Sequence, residues 1–171
     1  TMNRITSLVA ENDRFEFFWY PGSDEANIKT INPAATDPEY PLAKEGARVA
    51  WSYEVLPNHR PHLHTEMEYS VPAANGPACF AEIRQLIHRQ FPDVQWPVEY
   101  RTVAADDIWL SMASDRDTVT ISVHQDIKLD EEPYYRACEE VFLAYGGRPH
   151  WGKQHYQTGQ ELAALYPRYG D

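Results

Sequence analysis

The chain has 171 residues, 43% of them hydrophobic and 13% aromatic, and its 15 basic and 26 acidic side chains give a net charge of −11. That length suffices for one domain with a single sizeable core. The acidic balance argues against nucleic acid or anionic membrane surfaces as partners, and no run of about 18 apolar residues is present to span a bilayer.

The first elements in chain order are strands. Residues 15–20 (FEFFWY) are aromatic and β-prone, Pro21-Gly22-Ser23-Asp24 has turn composition, and residues 27–32 (NIKTIN) supply a partner strand. Residues 33–47 are rich in Pro, Ala and acidic side chains without a period, which predicts a loop. Residues 62–71 alternate. Leu63, Thr65, Met67, Tyr69 and Val71 fall on one face, and His62, His64, Glu66, Glu68 and Ser70 on the other. Over 76–91, Phe80, Ile83, Ile87 and Phe91 form an apolar helical stripe, and Pro92 stops it. Residues 98–103 and 119–125 are two more strands. The polar loop between them carries Asp106 and Asp107, either of which suits a helix cap or a loop brace. Pro133 opens a second helix whose buried side is Tyr134, Ala137, Cys138, Val141, Phe142 and Tyr145, and Gly146-Gly147 closes it. A short strand over 148–151 and a helical turn or two over 160–166 complete the chain.

From residue 62 the order is strand, helix, strand, strand, helix, strand, the split β-α-β arrangement. The expected fold class is therefore α+β. It is an antiparallel β-sheet with two main helices on one face, a ferredoxin-like core, extended by two N-terminal strands. Residues 1–171 are expected to form a single domain. Cys79 and Cys138 fall at apolar helix positions, so two buried free thiols are expected rather than a disulfide. With a start (Thr1-Met2-Asn3-Arg4) that lacks a secretory h-region, this fits a cytoplasmic location, with or without association to a membrane.

Three clusters carry chemistry. Glu99 and Arg101 project to one face of a strand, roughly 7 Å apart. A carboxylate and a guanidinium so placed can grip a polyol from both ends, although the same spacing serves a solvated cross-strand ion pair. The second cluster, Arg148 to His155, holds two cations, two imidazoles and an indole. If residues 148–151 are extended, Arg148 and His150 share a face and Lys153 lies just past the strand end, where functional side chains often sit. The third is His59-x-x-His62-x-His64-x-Glu66-x-Glu68. His62, His64 and Glu68 have an HxHxxxE spacing like that of cupin metal sites. Cupins, however, are jelly rolls of many short strands, and two helices are evident here. The expectation is a His-rich strand entrance with no metal, a cupin-like metalloenzyme being one alternative and a stand-alone sugar-binding or interaction module another.

Four blocks carry a family resemblance: FEFFWYPGSD (15–24), EMEYSVP (66–72), EYRTVAADDIWLS (99–111) and GGRPHWGKQH (146–155). Together and in this order they resemble the C-terminal region of sugar-1,4-lactone oxidases and alditol oxidases, flavoproteins of the vanillyl-alcohol-oxidase superfamily. The resemblance implies FAD as cofactor, bound mainly by an N-terminal domain absent from this chain, which would be the substrate-binding, or cap, domain alone and catalytically silent in isolation. It implies a small polyhydroxy substrate, a D-arabinono-1,4-lactone-like aldonolactone or an alditol, whose CH–OH carbon passes hydride to flavin N5. It implies catalytic and substrate-binding roles for Glu99, Arg101 and Lys153, with His124 and His150 lining the pocket and Lys153 and His150 near the flavin. A threonine position of alditol oxidases falls near Gln125 or Asp126 here.

Overall fold

The computed structural model describes residues 4–44, 46–57 and 62–170. Helix α1 (Ile5–Glu11) leads into a hairpin of β1 (Arg14–Tyr20) and β2 (Glu25–Ile31). A long irregular segment follows, whose described residues carry the single turn α2 (Ser52–Val55). The remaining elements are β3 (His64–Pro72), α3 (Gly76–Gln90), β4 (Val98–Val103), β5 (Thr118–Asp126), α4 (Glu132–Ala144), β6 (Arg148–Pro149) and α5 (Gly159–Leu165). The six strands form one sheet in the order β2-β1-β4-β5-β3-β6, and every pairing is antiparallel. Read from β3, the order β6-β3-β5-β4 is that of the split β-α-β core, and the hairpin extends it beside β4. The α+β architecture is the expected one.

Alternation along each strand sorts the sheet into two faces. The first carries Phe15, Phe17 and Trp19 of β1, Val98 and Tyr100 of β4, Val119, Ile121 and Val123 of β5, and Met67, Tyr69 and Val71 of β3, all buried. Helices α3 and α4 cover it with Phe80, Ile83 and Ile87, and with Tyr135, Cys138 and Phe142. Rings interlock there: Phe17 stacks on Tyr100 at 4.7 Å, Phe80 meets Phe17 edge-on at 5.0 Å, and Tyr69 stacks on Phe142 at 5.1 Å. Much of the aromatic content is thus core packing. Cys79 and Cys138 are both free and buried.

The helix stripe, β4 and the turn closing α4 follow the sequence pattern. Gly146 takes φ +74°, the left-handed conformation that ends the helix. Gly147 lets the chain pass beneath α4, since a Cβ there would lie 2.7 Å from the Phe142 carbonyl oxygen. Three expectations differ. Strand β3 begins at His64, so His62 lies outside it and Leu63 is exposed. The strand expected over 148–151 is only Arg148–Pro149, because the chain turns at once and the Lys153 amide donates to the His150 carbonyl at 3.1 Å. Helices α1 and α2 have no counterpart in the sequence reading. In the acidic loop Asp106 is the brace: its carboxylate accepts from the Ile108 amide at 3.0 Å and the Ser111 hydroxyl at 2.6 Å.

Candidate functional site

The second face of the sheet is polar, yet its centre is buried. Glu99, Thr118, Thr120, Ser122, His124, Glu68 and Ser70 all point to it and all are buried. Register aligns them in rows, Glu99–Ser122–Glu68 and Arg101–Thr120–Ser70. Hydroxyls bond within each row: Ser122 donates to Glu68 at 2.7 Å, and Ser70 and Thr120 meet at 2.8 Å. Buried polar groups are tolerated only when bonded in this way. Over the β6 end lies the 104–117 loop, held by Arg116 to the Ser70 carbonyl and by Arg148 to the Ser114 carbonyl.

Two clusters stand on this floor. In the first, the Arg101 guanidinium lies 3.7 Å from Glu99 and 3.5 Å from Glu68. The carboxylates are buried and the guanidinium is 41% exposed, so it forms part of the rim. In the second, Lys153 donates to Glu66, with His124 Nε2 at 3.6 Å and His64 Nε2 at 3.9 Å from the same carboxylate. Burial pushes the Glu66 carboxyl up, but hydrogen bonds from His124 and Lys153 outweigh it and hold the group well below the usual carboxylate range. Glu66 and Glu68 are successive same-face residues, roughly 7 Å apart, so the clusters are neighbours. Glu99, Arg101, His124 and Lys153 are thus brought to one face, together with Glu66, which the sequence reading placed on the polar face without a role, and Glu68, which it named only in the cupin-like alternative.

Lys153 reaches the floor because its segment is tied to β3. The His150 amide donates to the Glu68 carbonyl at 2.9 Å and the Gln154 amide to the Glu66 carbonyl at 3.0 Å. His150 spends ring Nδ1 on the Gly152 amide at 3.0 Å, so it fixes the turn that presents Lys153. Arg148 does not join it: its guanidinium donates to the carbonyls of Leu165 and Ser114 at 2.9 and 2.8 Å. Register also puts His124, rather than Gln125, on the polar face, since His124 pairs with Glu66 and Gln125 with Thr65. The HxHxxxE set is not assembled, because Glu68 is turned to Ser122 and Arg101 while His64 meets Glu66 and His124. His59 lies outside the described residues.

This floor can bind a polyhydroxy compound. Carboxylates accept hydroxyl hydrogens, and two rim cations donate to oxygen. The family model described as D-arabinono-1,4-lactone oxidase matches residues 42–171, which include every floor residue named above. The chain is 32% identical to an L-gulono-1,4-lactone dehydrogenase of Mycobacterium tuberculosis, over 99% of this chain and 49% of that protein. It is 33% identical to an alditol oxidase of a Streptomyces species over 70% of this chain and 30% of that protein, and 29% identical to the L-gulonolactone oxidase of Mus musculus over 60% and 24%. The chain spans about half the length, or less, of these curated relatives. By sequence match the chain belongs to the D-arabinono-1,4-lactone oxidase family.

Proposed function

We propose that this chain is the substrate-binding part of an FAD-dependent oxidoreductase acting on a CH–OH group of a sugar lactone or alditol, with most of the flavin held by a further domain of a longer protein. The observation that carries the proposal is the polar floor, rimmed by Arg101 and Lys153 and backed by the buried carboxylates of Glu68 and Glu99 and the partly buried one of Glu66. The donor set fits the rim of an isoalloxazine: half-exposed Lys153 can donate to its carbonyl edge, and the sequence has no glycine-rich phosphate loop for the remainder of the cofactor.

Bound flavin supplies the two-electron acceptor for hydride. This chain's residues do the rest. Glu99 and Glu68 accept hydroxyl hydrogens of the substrate, and Arg101, held between them, donates to its oxygens. The Lys153 ammonium donates to the oxygen of the reacting carbon and stabilises the negative charge that develops there as the hydroxyl proton passes to a water molecule. His124 closes the floor behind it, and His150 serves the cofactor side through the turn it fixes. The isolated chain should bind no flavin tightly and turn over no substrate. No helix among the described residues is long and apolar enough to cross a membrane. A cytoplasmic site of action is part of the proposal and rests on the two free thiols.

The test is Lys153→Met in the complete flavoprotein. A drop in kcat/KM of about 10²- to 10³-fold is expected, the range seen when one charge-stabilising donor is lost, with flavin content retained. Unchanged turnover and substrate affinity would remove Lys153 from the site.

A further inference from the structure

The floor ends in three groups that the proposed reaction leaves mostly unused. His64 and His124 each commit ring Nδ1 to a backbone carbonyl, that of His62 at 2.9 Å and that of Pro97 at 2.7 Å. A carbonyl only accepts, so Nδ1 carries a hydrogen in each ring, and Nε2 is the atom left to bind a metal once it gives up its own hydrogen. Both Nε2 atoms turn toward Glu66. Two imidazole nitrogens and a carboxylate thus converge on one point, where positive charge is needed to match the carboxylate. The Lys153 ammonium supplies such charge from the Oε2 side.

A metal ion would supply it at the centre. One donor atom from each residue lies within 4.8 Å of the others. Metal–ligand bonds of about 2.0–2.2 Å put neighbouring donors roughly 3.3 Å apart, so the side chains need only draw inward. Anchoring Nδ1 on a carbonyl is the outer-shell arrangement that orients metal-binding histidines. Trp96 packs 5.1 Å from the His64 ring and limits its wandering. Two imidazoles and one carboxylate select zinc and its neighbours over magnesium or calcium.

We propose that His64, Glu66 and His124 form a three-ligand site for a divalent transition-metal ion of the zinc class, the ion taking the Glu66 carboxylate in place of Lys153. Metal and ammonium then compete for one carboxylate, and an ion at the site frees Lys153 from Glu66.

The experiment is calorimetric titration of the tag-free chain with Zn²⁺, repeated on His64→Ala, Glu66→Gln and Lys153→Met. One ion per chain is expected. H64A and E66Q should weaken binding at least tenfold, and K153M should tighten it severalfold by removing the competitor. Absence of stoichiometric binding, H64A and E66Q binding like the parent, or K153M weakening the site would each overturn the proposal. His64 is half-buried and outside the core, so H64A decides the matter alone if E66Q fails to fold. Neither flavin nor sugar is present in the titration, so its failure would leave the oxidoreductase reading untouched.

Discussion

Replacing Arg101 with methionine should cost the fold as well as the site. Its guanidinium lies between Glu68 and Glu99, whose side chains are 5% and 3% exposed. Removing one member of a fully buried ion pair costs about 3–5 kcal/mol, because the remaining charge is stranded. Here 41% of the arginine side chain is open to water, and screening reduces the loss to about 2 kcal/mol. In a domain of this size about 2 kcal/mol lowers Tm by roughly 4–8 °C. Urea unfolding of the chain at pH 7 measures it, and R101M combined with Glu68→Gln separates charge from packing. Taking away one carboxylate relieves the repulsion that R101M creates, so the double variant should recover about 1 kcal/mol relative to the sum of the single ones. If R101M lies within about 0.3 kcal/mol of the parent, or if the two losses simply add, the guanidinium is not what holds the carboxylates together.

Two further outcomes follow from buried acids. Tyr69→Phe keeps the ring stacked on Phe142 but removes the hydroxyl that donates to buried Glu139, which also accepts from the Tyr156 amide at 2.8 Å. Thermal unfolding should show a loss of about 1.5–3 kcal/mol, the value of a hydrogen bond to a charged group, and a loss below about 0.5 kcal/mol would contradict the assignment. Glu66 has a folded pKa below its ordinary value of 4.5. Its stabilisation is therefore fully present above that value and drains away as pH falls below it. Urea midpoints measured from pH 6 down to pH 3 should fall less steeply for Glu66→Gln than for the parent; parallel curves would count against the ion-pair cluster.

What could be read in the sequence was local. The spacing of Phe80, Ile83 and Ile87 marks α3, the alternation through Met67, Tyr69 and Val71 marks the core face of β3, and Gly146 marks the end of α4. Glu99 and Arg101 could be placed on one face because strand period alone requires it. Partners far apart in the chain were not legible. Glu66 meets His124 across 58 positions and Lys153 across 87, and only the ladder between β3 and β5 decides that His124, not Gln125, shares its face. The cue for Glu66 and Glu68 was present all the same: two carboxylates stand opposite a Met-Tyr-Val stripe on a strand that proves to be central. Arg148 misled because its position on the polar face is real, yet its guanidinium is spent on the carbonyls of Leu165 and Ser114.

The polar groups of this floor hang from three adjoining strands and a short tether, so the spacing of their attachment points is set by backbone repeat rather than by side-chain choice. Exchanging one residue changes which atoms are offered while leaving the lattice of attachment points in place. A family whose named members include a lactone dehydrogenase and an alditol oxidase could thus diversify by single replacements on such a grid.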